Sequence, residues 1–109
     1  MSISAFMPEP SGEYEKLFNV PVATEAFFGE CWEPAAEALG LRWVPLFAPG
    51  IEVTKADLPD VLEELAKLKQ WAARGLDGDR QALMLARLDR LAEELPKALE
   101  RDGAVVYIG

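Results

Sequence analysis

Apolar positions recur along this chain with two distinct periods. Ser2 to Met7 alternates, placing Ile3, Ala5 and Met7 on one face of a short strand. Pro8 and Pro10 end it, and Glu9 to Val22 reads as irregular, with Phe18, Val20 and Val22 tucking it against the body. From Thr24, a suitable N-cap, to Gly40, a suitable C′ residue, the period becomes helical. Phe28, Trp32, Ala35 and Leu39 share one face, with Glu30, Glu33 and Glu37 opposite. Pro34 falls on the wet side, where a missing hydrogen bond bends the helix around the core, the alternative being two helices broken there.

Arg42 to Phe47 and Ile51 to Lys55 read as two strands joined by Ala48, Pro49 and Gly50, turn residues at hairpin length. A second helix starts near Asp57, with Pro59 tolerated in its first turn and Leu58, Val61, Leu65, Leu68 and Ala72 as its apolar stripe; Gly75 closes it. A third opens at Asp77-Gly78-Asp79 and carries Met84, Leu88, Leu91, Leu95 and Leu99 on one face, with a kink expected at Pro96. Ala104 to Ile108 is a last apolar strand. The resulting order, β-α-β-β-α-α-β, resembles the ferredoxin-like pattern with a helical hairpin in place of its second helix. The expected fold is therefore α+β: a four-stranded antiparallel sheet with helices on one face, in a single domain over residues 1–109.

Half of the residues are hydrophobic, enough for a core without disulfides or metals, and Cys31 has no second cysteine to pair with. Nineteen acids stand against eleven bases, a net charge of −8. The bases are scattered among the acids, so the clustered Lys and Arg that displace counterions from a phosphate backbone are missing. Nucleic acid and anionic membrane surfaces are thus poor partners, whereas a basic protein would be attracted. No signal peptide and no membrane-spanning apolar run is visible, which makes the cytoplasm the expected location.

Catalytic equipment is thin. There is no histidine, hence no Ser-His or Cys-His pair. One cysteine without histidine cannot build a structural zinc site, and Cys31 reads as a small core hydrophobe. The glycines are isolated, so no phosphate-binding loop exists, and no cofactor is implied. Asp77 and Asp79 resemble the start of a calcium loop, but Leu88 occupies the position of its final glutamate; helix capping accounts for them. Glu63/Glu64 and Glu93/Glu94 read as solvated helix faces.

Two surface features remain. Glu30, Glu33 and Glu37 form an acidic stripe suited to a basic partner. On the uncovered sheet face the alternation places Phe6 and Tyr107, together with Trp43 and Phe47 from the expected hairpin, unless Glu9–Val22 folds over them. Aromatics on an open four-stranded sheet resemble the layout of RNA-recognition domains, but their basic signature is absent. The expectation is a small acidic binding protein, of inhibitor or immunity type, acting on a basic protein. The alternatives are a module that self-associates or binds a hydrophobic ligand through the aromatic face, and a metal-dependent enzyme built on carboxylates.

Overall fold

The computed structural model describes residues 2–109. Four strands, β1 (Ser2–Phe6), β2 (Asn19–Thr24), β3 (Ile51–Thr54) and β4 (Val105–Ile108), form one sheet in the order β2-β1-β4-β3, each neighbouring pair antiparallel. The two central strands come from opposite ends of the sequence. Ser4 and Gly109 exchange backbone hydrogen bonds of 3.3 and 3.1 Å beside them.

The period-2 pattern decides which face is covered. Ile3, Ala5, Val20, Val53, Val106 and Ile108 point inward and are buried, while Ser4, Phe6, Pro21, Glu52 and Tyr107 point outward and are half-buried or exposed. In β2 the alternation breaks: Ser4 pairs with Pro21 and Ile3 with Ala23, leaving Val22 as an extra residue. This bulge is why both Val22 and Ala23 are buried. Pro21, which cannot donate to a ladder, is tolerated because β2 is an edge strand.

Glu9–Val22 therefore does not cover the sheet. Residues 19–22 extend it, and the preceding short helix α1 (Glu13–Leu17) docks elsewhere: Tyr14, Leu17 and Phe18 border a groove with Arg90 and Glu94.

A helical run follows β2: α2 (Glu25–Phe27), a π turn (Phe28–Trp32) and α3 (Glu33–Leu39). Thr24 caps it as expected, its Oγ1 accepting the Phe27 N–H at 3.1 Å, and Gly40 ends it at φ 67°. The run is not broken at Pro34. Instead the π turn, closed by the Glu33 N–H on the Phe28 carbonyl, directly precedes Pro34, which has no N–H to continue the ladder.

Arg42–Phe47 is not a strand. After Trp43 the chain makes a 3-10 turn (Val44–Leu46), with the Phe47 N–H bonded to the Val44 carbonyl at 3.0 Å. Pro45 has no donor for a ladder, and the amides of residues 42–44 are engaged elsewhere, as shown below. Asn19–Thr24 supplies the missing strand. The helical run separates β2 from β3, so the ferredoxin-like order expected from the sequence, which needs those strands in succession, is replaced by the order above.

The last two helices, α4 (Leu58–Gly75) and α5 (Gly78–Ala98), follow one another with only Leu76 and Asp77 between them. Their stripes, Val61, Leu65, Leu68 and Ala72 against Met84, Leu88, Leu91 and Leu95, are buried in one core with Phe28, Trp32 and Phe47. The connection is held by Gln81: its Nε2 donates to the carbonyls of Ala72, Ala73 and Leu76 at 3.2, 3.0 and 2.8 Å, satisfying the orphan end of α4. Asp77 takes the N-cap position of α5, but its side chain makes no capping bond. Pro96 lies inside α5, which continues to Ala98.

Candidate functional site

The structure does not bring the residues singled out from the sequence together at one place. Phe6 and Tyr107 lie together on the uncovered face: they are cross-strand partners with ring centroids 5.3 Å apart, tilted by 58°. Tyr107 also lies against Gly50 and Gly109, where any side chain at either position would run into its ring. Phe47 does not join them. It is fully buried in the core, because the 3-10 turn directs it inward rather than along a strand. Trp43 is likewise off the sheet, packed half-buried against the core between α3 and α4.

The acidic stripe is also divided. In a regular α-helix Glu30, Glu33 and Glu37 would line up, but the π turn contributes an extra residue and shifts the phase upstream of Glu33. Glu30 faces α5 and pairs with Arg80 at 3.2 Å, an exposed pair worth little to stability. Glu33 and Glu37 have no ion-pair partner among the described residues; they border a depression floored by Ala36, Leu41 and Pro45. The exposed Leu39 and Leu46 flank it in sequence, at 37% and 42% exposure. Leu39, assigned by periodicity to the buried face, emerges because α3 ends there at Gly40.

A residue the sequence reading placed on a solvated face organises this region. Glu64 of α4 is buried, and its carboxylate accepts the N–H groups of three consecutive residues. Arg42 N lies 3.0 Å from Oε2, Trp43 N 2.9 Å from Oε1 and 3.1 Å from Oε2, and Val44 N 3.0 Å from Oε1. The carboxylate does here what a neighbouring strand would have done. One signal was legible: position 64 is three after Val61 and four before Leu68, inside the apolar stripe, whereas Glu63 is outside it and pairs with Lys67 at 3.4 Å.

Cys31 is buried at the π turn, and burial pushes its thiol above its ordinary range. Among the described residues no group of three or more His, Cys, Asp or Glu is placed to hold a metal ion, and no helix is long and apolar enough to cross a membrane. On the surface, Pro45 lines the depression with Glu33 and Glu37, and Trp43 lines a second one in which Asp60, Glu63 and Glu64 stand beside Arg42 and Lys67. Comparison with family models, with curated proteins and with solved structures finds no match to this chain.

Proposed function

We propose that this chain is a protein-binding module whose partner presents a basic surface, in the manner of an inhibitor or immunity protein acting on a cationic enzyme or toxin. The supporting observation is the depression between α3 and the Gly40–Pro45 turn. Among the described residues its two glutamates, Glu33 and Glu37, have no counter-charge, while Glu30, Glu63 and Glu93 each have one. A net charge of −8 adds a long-range field that speeds encounter with a cationic partner by about 10 to 10³ at low salt, acting over about 8 Å at physiological ionic strength.

The test is capture on the immobilised chain from native lysate, run in parallel with the Glu33→Gln/Glu37→Gln variant across a salt series. A basic protein retained by the wild type, lost from the variant and released by salt is the expected result. Retention indifferent to both salt and the two charges sinks the reading.

A second reading, self-association through the open sheet face, draws on the Phe6–Tyr107 pair and on a face whose strand residues carry one charge, Glu52. Four strands of about five residues span only roughly 19 by 16 Å. That is small beside the roughly 800 Å² per partner of a standard stable interface. Light scattering separates the two: a dimer that Tyr107→Glu dissociates favours the sheet face, and a monomer at high concentration removes it.

A further inference from the structure

The exposed side of α4 carries a cleft of different chemistry from the depressions described above. Lys67, Gln70, Trp71 and Arg74 follow one another at steps of three, one and three, so a single helix face presents them. With Gly75 and with Leu39 at the end of α3 they line a cleft of about 330 Å³. That is the small end of the roughly 300–1,000 Å³ range of small-molecule sites. Its walls are mainly apolar, since Trp71 packs half-buried against the core and Leu39 is exposed.

Charge sets this cleft apart. In a chain of nineteen acids and eleven bases, it is lined by two bases and no acid. The groove beside α1 includes Glu94, the depression at α3 includes Glu33 and Glu37, and the one at Trp43 includes Asp60, Glu63 and Glu64. Lys67 is shared with Glu63 at 3.4 Å, but Arg74 has no ion-pair partner among the described residues. The C-terminal end of a helix ordinarily repels an anion through its unsatisfied carbonyls. Here those of Ala72 and Ala73 already accept from Gln81 Nε2, at 3.2 and 3.0 Å.

Gly75 points the same way. Its φ is not positive, and a Cβ there would meet the Trp71 ring at 3.6 Å, an ordinary contact distance. Neither backbone nor packing calls for glycine, and alanine is the better helix former. The missing side chain leaves the indole uncovered at that end of the cleft.

We propose that this cleft binds a small aromatic carboxylate, its ring laid against Trp71 and Leu39 and its carboxylate held by Arg74, with Lys67 as the second cation. Flat rings stack on an indole, and a guanidinium takes both oxygens of a carboxylate in parallel hydrogen bonds. The site is separate from the basic-partner surface and stands whether or not that partner exists.

The probe is naphthoate, titrated into isotope-labelled protein while the indole N–H signals of Trp32, Trp43 and Trp71 are followed by NMR, with Trp71→Phe fixing the assignment. The Trp71 signal shifts most and saturates below about 1 mM. The neutral analogue naphthamide binds about tenfold more weakly, and Arg74→Gln weakens naphthoate to the same degree. Arg87→Gln removes a base that, among the described residues, has no ion-pair partner and lines none of these clefts, and it leaves the affinity unchanged. Gly75→Leu covers the indole and also weakens naphthoate about tenfold, without lowering the thermal midpoint. The proposal is overturned if Trp71 shows no saturable shift in that range, if acid and amide bind equally, or if the two arginine substitutions act alike. A Trp71 shift that follows protein concentration alone gives the cleft to a second copy of the chain, and overturns it too.

Discussion

Glu15 of α1 and Arg101, which precedes β4, meet across 86 positions of sequence in two parallel hydrogen bonds, Nε to Oε2 and Nη2 to Oε1, each 2.9 Å long. The Ser11 N–H adds a third donor at 2.8 Å. Together they fasten the segment between β1 and β2 to the loop entering β4. The Arg101 guanidinium, and after it the Ser11 amide, hold the Glu15 carboxyl below its ordinary value of 4.5.

A lowered carboxyl value stabilises the folded chain above the unfolded value and ceases to do so as pH falls through the folded one. Glu15→Gln is therefore expected to lower stability at neutral pH. The gap to wild type narrows as the pH drops below about 4.5 and the wild-type carboxyl becomes protonated. Urea denaturation of both proteins over a pH series measures the gap; a gap that stays constant down to the acid limit contradicts the assignment.

Gly50 is held at φ 109° with the Tyr107 ring directly over it, so Gly50→Ala meets both a backbone and a steric obstacle. Strain of this kind costs about 1–3 kcal/mol. Tyr107→Ala removes the ring but not the dihedral, so Gly50→Ala should be less damaging in a Tyr107→Ala background. Thermal unfolding of the four members of that cycle gives the coupling, and strict additivity would deny the contact.

Phe47→Ala opens a cavity in the middle of the core and is expected to destabilise by about 3–5 kcal/mol. Phe6→Ala, on the open face, should do much less. Denaturant titration with unchanged m-values provides the comparison, and equal losses at the two positions would place Phe47 back on the surface.

The Cys31 thiol is buried and its ionisation is suppressed, mainly by desolvation. In the folded protein it should react with a charged disulfide reagent far more slowly than a free thiol, and the rate should rise with urea in step with unfolding. Rapid labelling without denaturant would show an opening at the π turn that the folded chain does not display.

Much of the fold is written in local pattern. The stripes of α4 and α5, the cap at Thr24, the stop at Gly40 and the strands at both ends follow from periodicity and from single residues with special backbone chemistry, because each depends on neighbours within a few positions. That Phe6 and Tyr107 point to the same side of the sheet was legible for the same reason; that β1 and β4 set them side by side was not. Glu64 was misread as solvated: its place in the stripe of Val61, Leu65 and Leu68 was the signal against that, but nothing nearby in sequence names the amides it serves, which lie 20 to 22 positions away.

The fourth strand was a decision of the whole chain. Residues 42–47 carry the better strand composition, with Trp43, Val44, Leu46 and Phe47, yet residues 19–24 take the place beside β1 despite Pro21. Sequence alone determined that the chain has apolar segments for helices and a sheet, and that its surface is acidic. Tertiary structure decided which segment completes the sheet. An edge position tolerates a proline and a bulge, and a buried carboxylate from α4 can satisfy amides that would otherwise need a strand. Both are relationships between distant residues, and they exist only once the chain has packed.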